Sequence, residues 1–310
     1  MIMDCHAHLY APEWYPAKFS EYLGWDFARR KLDTTGRAIP ASQVASVLRF
    51  MTDRTGATTI RVMDEAGINR RVILIVDWGL ELGEAETSLD AIHEEVLSIC
   101  RKSQGRLVGF AGVDPRRKLG PDLLRRAFDD LGARGLKLHP TGAWSLDDER
   151  TEELVYIAAS RRFPILVHVG STIDILSDKQ SQPHSLLRLA RRCPSATFIA
   201  GHSGFRSFRT FIDEPDVPSN IYFDISGWQE IVKTQDESLA ENLSAMLRAF
   251  PGRVCFGTDS PFFSYNLAAQ ERTWLESVRA FVMACPEKDR KSAQSMLSCP
   301  SDLQGIIGRR

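Results

Sequence analysis

A regular alternation of strand-like and helix-like segments constrains the fold of this chain more than any other feature. Short runs of β-branched and apolar residues are separated by segments in which apolar residues recur at helical spacing. The first predicted strand begins at Ile2, and the others span 72–76, 107–113, 135–139, 165–169, 197–200, 221–225 and 253–257. Helices are predicted over 58–66, 87–101, 122–131, 148–161, 185–191, 237–250 and 270–283. Eight βα units within 310 residues predict one closed α/β barrel, a (β/α)8 TIM barrel, rather than two open sheets.

Two stretches depart from this alternation. Residues 10–57 have no clean period and are rich in aromatic side chains, and a connection of this length inside a domain is usually functional. We therefore predict a lid-like insertion after strand 1, although a partly helical decoration that covers one end of the core fits the same pattern. Residues 286–310 are predicted to form a helical extension packed outside the barrel, so that 1–310 is a single domain.

Composition and charge narrow the classes of partner. The chain has 39 Lys and Arg against 40 Asp and Glu, a net charge of −1, which gives no electrostatic footprint for nucleic acid or for an anionic membrane surface. No apolar run reaches the roughly 18 residues of a membrane span, and no signal peptide is expected. The six cysteines are scattered without a Cys-x-x-Cys pair, as in a reduced cytoplasmic protein. We expect a cytoplasmic protein with a small-molecule substrate, and a homodimer through the outer helices is compatible with this fold.

Chemically active side chains gather where the predicted strands end, which is where TIM barrels place their working residues. Because side chains alternate along a strand, these residues of strands 4, 5 and 8 are predicted to face into the barrel, together with Leu166 on strand 5 and Cys255 on strand 8. Asp4 is predicted to share one face with the two histidines that follow it. The side chains at the strand ends are His6 and His8 (strand 1), Lys137 and His139 (strand 4), His168 (strand 5), His202 (strand 6) and Asp259 (strand 8).

The spacing of His6 and His8 indicates a metal site. Two imidazoles two residues apart lie side by side on a strand, and imidazole nitrogen suits Zn, Fe, Ni or Mn better than Ca or Mg. Taken alone, the same pair is also compatible with two histidines on a solvated edge strand.

Five motifs follow one another in a fixed order along the chain. They are Asp4-Cys5-His6-Ala7-His8, Gly135-Leu136-Lys137-Leu138-His139-Pro140, Leu166-Val167-His168, Gly201-His202-Ser203-Gly204 and Phe256-Gly257-Thr258-Asp259-Ser260-Pro261. Together they resemble the amidohydrolase superfamily, and most closely its amidohydrolase-related branch of metal-dependent hydrolases and decarboxylases of the aminocarboxymuconate-semialdehyde type. The resemblance implies one divalent metal ion, most often zinc and otherwise manganese, held by His6, His8, His168 and Asp259. It also implies a catalytic role for His202 and Asp259.

The role of Lys137 stays open. In two-metal members of the superfamily a lysine at the end of strand 4 is carboxylated, so the resemblance implies that a carboxylated Lys137 would bridge to a second ion shared with His168 and His202. An unmodified Lys137 would instead hold an anionic substrate group or pair with Asp259 or Asp114.

Four other side chains are predicted to contact the substrate. Arg206 follows the strand 6 motif closely enough to clamp a carboxylate, and Trp78 and Trp228 follow strands 2 and 7. His139 either contacts the substrate or is a hydrogen-bonded histidine with a structural role in the barrel wall. His93 and His184 are interpreted as ordinary surface residues.

The predicted activity is hydrolysis of a small carboxylated amide, lactone or ester by metal-bound hydroxide. Three imidazoles and one carboxylate leave the ion most of its charge and an open position, which brings the pKa of bound water to about 7. A non-oxidative metal-dependent decarboxylase and a non-catalytic metal-binding barrel are the two alternatives.

Overall fold

Eight parallel strands form one sheet in chain order in a computed structural model, which describes residues 1–230 and 239–307. Backbone hydrogen bonds from Cys5 N to Phe256 O (2.9 Å) and from Asp259 N to His6 O (2.7 Å) join the last strand to the first. The predicted (β/α)8 barrel is therefore confirmed. The strands are Met3–Ala7 (β1), Arg70–Leu74 (β2), Leu107–Gly112 (β3), Leu136–Leu138 (β4), Ile165–His168 (β5), Phe198–Gly201 (β6), Ile221–Asp224 (β7) and Val254–Cys255 (β8).

Helices surround the barrel, and local sequence explains where several begin and end. The Ser88 side chain accepts a hydrogen bond from Ala91 N, Asp148 accepts one from Arg150 N, and Gly67 ends its helix at a φ of 82°. The helices are Ala17–Thr35 (α1), Ala41–Met51 (α2), Ala57–Ala66 (α3), Gly79–Leu82 (α4), Leu89–Lys102 (α5), Gly120–Asp129 (α6), Glu149–Ser160 (α7), Pro183–Arg192 (α8), Phe208–Asp213 (α9), Leu239–Ala249 (α10), Ala268–Ala284 (α11), Glu287–Ser298 (α12) and Ser301–Ile307 (α13). The first two residues of the helix predicted at 237–250 lie outside the described part of the chain.

The alternation of side chains follows the predicted parity on the strands that carry the site. On β5, Leu166 joins the small cluster inside the barrel, whereas Val167 packs in the large cluster between the strands and the helices. On β8, Cys255 points inward and Val254 outward in the same way. The inward set therefore carries the polar residues of the strand ends to one mouth of the barrel.

Asp4 does not share a face with the histidines that follow it. The pairing of β1 with β2 shifts register between Asp4 and Ala7, as at a β-bulge, and one extra residue reverses the alternation. Asp4 consequently lies on the outer side, where it forms an ion pair with Arg71 at 2.8 Å and accepts a hydrogen bond from Thr258 Oγ1 at 2.6 Å. Arg71 is also paired with Glu271 of α11, so this buried network ties β1 to β2, β8 and the helix layer.

The segment that follows β1 is helical, and one of its helices reaches the barrel mouth. α1 and α2 occupy most of residues 10–57, and α1 carries Phe19, Tyr22 and Leu23 into the wall of a cavity there. Within residues 1–230 and 239–307 no helix has both the length and the apolar character of a membrane span.

Two expectations about the periphery of the barrel are wrong, the second of them in part. His93 is buried, not on the surface, because α5 turns it toward β3, where its Nε2 accepts a hydrogen bond from Gly112 N at 3.2 Å; His184 is exposed, as expected.

The expectation that the extension packs outside the barrel is wrong for α13, whose Leu303 and Ile307 join the inward-facing cluster, and holds for α12, whose Ala293 and Met296 join the large cluster between the strands and the helices. The apolar residues of α13 thus complete the barrel interior.

Candidate metal centre

A cavity of about 560 Å³ lies at the carboxyl ends of the strands, a size typical of small-molecule sites. Its base carries the histidines of β1, β5 and β6 together with Asp259, and α1 forms part of its wall. The residues at the strand ends and part of α1 therefore lie at the same end of the barrel.

Three ligand atoms converge at the base of this cavity. Nε2 of His8 lies 3.2 Å from Asp259 Oδ1, and Nε2 of His6 lies 3.5 Å from the same oxygen. One ligand atom from each of these residues falls within 4.8 Å of the other two. Two imidazole nitrogens and one carboxylate oxygen are the donor types that bind zinc and similar divalent ions.

The far sides of both rings are held in the way that metal-binding imidazoles require. His6 Nδ1 lies 3.0 Å from Asp224 Oδ2, and His8 Nδ1 lies 2.8 Å from Leu74 O. Because a carboxylate and a carbonyl only accept, each Nδ1 carries the proton and each Nε2 is left with its lone pair facing Asp259. The residues present therefore fit a divalent metal ion.

The charges around these three groups favour an ionised carboxylate. Burial opposes ionisation of Asp259, but His6 and His8 outweigh it when their rings are protonated in the absence of a metal ion, and the pKa of Asp259 falls well below the usual range. Burial likewise opposes ionisation of Asp224, yet the charge of His6 and its hydrogen bond lower that pKa to about 2. Burial lowers the pKa of His8, which keeps that ring neutral and able to bind a cation.

His168 and His202 form a second imidazole pair beside the first. His168 Nδ1 lies 3.2 Å from His202 Nε2, while the two outer nitrogens, His168 Nε2 and His202 Nδ1, lie 3.1 Å and 3.0 Å from the carbonyl oxygens of Ser171 and Ser226. If both outer nitrogens donate to those carbonyls, two lone pairs face each other at 3.2 Å. A proton or a metal cation between His168 Nδ1 and His202 Nε2 would relieve the repulsion between these lone pairs. Burial lowers the pKa of both rings, that of His202 to about 3.

The chain that leads from β6 to this pair is strained, and its neighbours hold it. His202, Ser203 and Phe205 all have positive φ, at 58°, 49° and 49°, which costs of order 1–3 kcal/mol each for side chains other than glycine. Trp228 Nε1 donates to His202 O at 2.8 Å, and Ser203 Oγ donates to Asp224 O at 2.7 Å. Strain fixed in this way is typical of functional sites.

His139 extends the imidazole cluster toward the aromatic wall. Its ring stacks on that of His168 at 4.2 Å and meets that of Trp78 edge to face at 4.8 Å. Its Nδ1 lies 2.6 Å from Thr141 Oγ1, and burial lowers its pKa well below the usual range. Trp78 and His139 both line the cavity, and their contact with a substrate stays a prediction.

Lys137 is buried beneath the cavity without a hydrogen-bond partner for Nζ among the described residues. Burial lowers its pKa to about 8, although the charges of Asp259 and Asp224 act in the opposite direction. Neither of the pairings considered from the sequence, with Asp259 or with Asp114, appears as an ion pair in the described structure. An amine in this state gives up its proton more readily than an exposed one, and the neutral form is the reactive one.

The other two predicted substrate contacts lie in different places. Arg206 is exposed at the rim of the cavity. Trp228 supports the backbone of His202, as described above, and is not among the described residues that line the cavity.

Asp224 is the functional candidate that sequence reasoning missed. Its Oδ2 meets His6, and its Oδ1 accepts hydrogen bonds from Ser226 N at 2.9 Å and His202 N at 3.2 Å. It thereby connects both imidazole pairs. A signal was present in the sequence, because Asp224 is the single charged residue in the predicted strand 221–225 and lies one residue before its end.

A family model described as amidohydrolase matches residues 3–293. The chain belongs to the amidohydrolase family. The resemblance seen in the five motifs is therefore confirmed, and the match covers the barrel, the helical segment after β1 and most of α12. Among curated proteins no relative matches.

Several solved structures share this amidohydrolase barrel at low sequence identity. An uncharacterised TIM-barrel protein from Bordetella bronchiseptica has 17% identity and a TM-score of 0.70, with 99% of both chains covered. A 5-carboxyvanillate decarboxylase from Novosphingobium aromaticivorans with bound manganese has 14% identity and a TM-score of 0.67, covering 100% of this chain and 97% of its own. A probable 2-pyrone-4,6-dicarboxylic acid hydrolase from Acinetobacter baumannii has 14% identity and a TM-score of 0.60, with 99% of both chains covered. At sequence identities of 14–17% these structures show that the fold is shared, and no more.

Proposed function

We propose that this amidohydrolase-family protein is a metal-dependent decarboxylase of a small, planar ring carboxylate. The observation that carries the proposal is the aromatic wall directly above the ligand trio. Phe262 lies 5.1 Å from the His8 ring, and Phe19 lies 5.3 Å from Phe262 and 4.8 Å from Trp78, measured between ring centroids. On the opposite side Phe205 stacks on His202 at 4.1 Å.

This wall suits an unsaturated ring better than a flexible aliphatic chain. Offset or edge-to-face contacts between rings contribute about 0.5–1.5 kcal/mol each beyond their buried area, and faces on two sides fix the plane of the ring. The metal ligands would be His6, His8 and Asp259, with His168 as the further ligand that the family resemblance implies. A divalent ion bound there would polarise a substrate oxygen as a Lewis acid.

Loss of carbon dioxide breaks one carbon–carbon bond, leaves its electron pair on the ring carbon, and requires one proton at that carbon. A wall of aromatic rings excludes water from a carboxylate whose charge disperses as the bond breaks. His202 Nε2, which lies 3.2 Å from His168 Nδ1, would take up a proton and return it to the ring carbon, while His168 would hold the ion. Arg206 at the rim would hold a second anionic group of the substrate.

The structural neighbours support this choice of reaction class. They include decarboxylases of 5-carboxyvanillate and of 2,6-dihydroxybenzoate, and two with bound manganese. We therefore favour manganese over the zinc expected from sequence. Hydrolysis of a small carboxylated lactone or ester is the second candidate. It is favoured by the acceptor nitrogen of His202, which could take a proton from water, and by the pyrone dicarboxylate hydrolase among the neighbours.

The test uses manganese-loaded protein with dihydroxybenzoates, 5-carboxyvanillate and 2-pyrone-4,6-dicarboxylate in water enriched in heavy oxygen. Release of carbon dioxide without heavy oxygen in the organic product is the expected result. Heavy oxygen in the product without carbon dioxide would replace decarboxylation by hydrolysis. His8→Ala should abolish either activity and the exposed control His184→Ala should not; equal activity in His8→Ala would overturn the metal-dependent reading.

A further inference from the structure

Three cysteines that are far apart in the sequence meet inside the barrel, away from the histidine cluster. Cys5 lies on β1, Cys255 on β8, and Cys299 between α12 and α13. Their Sγ atoms all lie within 4.8 Å of one another, and each side chain is at most 1% exposed. None of the three lines the catalytic cavity described above.

The surroundings of the three sulfurs are apolar. The inward-facing cluster that holds them includes aliphatic, thioether and aromatic side chains such as Met3, Leu166, Leu303 and Phe110. Among the described residues, the group of potential ligand atoms there consists of the three sulfurs alone. A site with sulfur donors and no oxygen donors excludes Ca and Mg and selects soft ions.

The backbone at Cys299 gives an independent indication that this side chain is needed. Cys299 has φ of 66° and ψ of 140°, a conformation that glycine adopts freely and that strains other residues by about 1–3 kcal/mol. Glycine at this position would relieve the strain, so the thiol itself is the feature that the turn presents to the other two sulfurs.

We propose that Cys5, Cys255 and Cys299 form a binding site for a soft monovalent cation of the copper(I) type. A metal–sulfur distance of about 2.3 Å places three sulfurs around one ion roughly 4 Å apart, which is within the separation that the three Sγ atoms have already. Zinc in a structural site takes four ligands, and the described residues supply three, whereas copper(I) is satisfied by thiolate donors in lower number.

Charge is balanced by the protons that the thiols lose and by one nearby cation. Each thiol that binds as a thiolate releases its proton to solvent, so copper(I) with two thiolates and one thiol leaves one net negative charge. Arg70, at the start of β2, lies near enough to Cys299 to favour negative charge there. Because Cys299 belongs to the C-terminal extension, the bound ion would fasten that extension to the first and last strands.

The experiment is a copper(I) titration of the full-length protein, with the histidine site first saturated with manganese. A chromophoric copper(I) chelator competes for the ion, and X-ray absorption identifies its ligands. The expected result is one copper(I) per chain with a shell of sulfur only, and at least a tenfold weaker affinity in Cys255→Ala and in Cys299→Ala. Cys100→Ala, which removes a buried thiol elsewhere, should bind as the wild type does.

Two outcomes would overturn the proposal. One is wild-type affinity in a Cys299→Ala protein whose far-ultraviolet circular dichroism shows it to be folded. The other is a wild-type protein that takes up no copper(I), whether its peptides show three free thiols or a disulfide between two of them. A Cys299→Ala variant that does not fold leaves the X-ray absorption of the wild type as the deciding measurement, since nitrogen or oxygen ligands there contradict the site.

Discussion

Asp224→Asn should weaken metal binding without unfolding the barrel, because it changes which nitrogen of His6 carries the proton. Asn keeps the oxygen that accepts from Ser226 N and His202 N, so the side chain should keep its orientation. Its amide nitrogen then takes the place of Oδ2, 3.0 Å from His6 Nδ1. A donor at that position favours the tautomer with the proton on Nε2, which removes the lone pair that faces Asp259.

The magnitude follows from the role of such supporting groups. Loss of a group that orients a metal-binding imidazole typically costs 10–100-fold in metal affinity, or about 1.4–2.7 kcal/mol. Ser226 Oγ, also 3.0 Å from His6 Nδ1, is another acceptor at this nitrogen. We therefore expect the single variant near the lower end of the range and Asp224→Asn with Ser226→Ala near the upper end.

The assay is competitive titration of the metal-free protein with Mn²⁺ or Zn²⁺ against a chelator of known affinity. Asp53→Asn is the matched control, because Asp53 is a buried carboxylate that caps Thr59 N at 2.8 Å outside the cavity. The control should bind the ion within about twofold of the wild type. Wild-type affinity in folded Asp224→Asn would refute the idea that Asp224 sets the tautomer of His6.

Three further predictions concern burial and shape. The pKa of Lys137 is lowered from 10.5 to about 8, so the unfolded chain binds more protons than the folded one between these pH values. The unfolding free energy of the metal-free protein should therefore rise by about 3 kcal/mol as the pH increases over that window. Chemical denaturation of Lys137→Met should show no such rise. Burial lowers the pKa of His93 from 6.5 to about 4, so the unfolding free energy should fall by about 3 kcal/mol as the pH drops through that interval. The His93→Gln variant, which keeps an acceptor for Gly112 N, should not show this loss. Phe262→Ala removes one aromatic face beside His8 and should raise KM for a ring substrate about 2–10-fold with little change in kcat; an unchanged KM would contradict the aromatic wall as a substrate contact.

The sequence predicts the alternation of strands and helices because each element shows its own spacing of apolar residues within a few positions. The polar residues at the strand ends could then be located from the predicted strand bounds. Parity along β5 and β8 then predicted which side chains turn inward, and the structure places Leu166 and Cys255 accordingly. The same reasoning failed at Asp4, because a β-bulge inserts a residue that no local pattern reveals.

What remained hidden depends on contacts between distant parts of the chain. Asp224 and His6 are 218 residues apart, and a single acidic residue in a strand does not indicate which distant residue it contacts. Cys5, Cys255 and Cys299 seemed scattered for the same reason, because only closure of β8 on β1 and the docking of α13 bring them together. His93 looked like a surface residue since helix periodicity alone does not say that its ring bonds to β3.

The content of divalent metal per chain, measured on protein purified without added metal, decides whether the histidine cluster is a metal site. Wild type and His184→Ala should each carry about one manganese or zinc ion per chain, and His8→Ala, which deletes one of the three convergent ligand atoms, should carry almost none. Close to two ions would assign a second site to Lys137, His168 and His202. No ion in the wild type, even after incubation with Mn²⁺ or Zn²⁺, or an ion that His8→Ala retains, would contradict the account.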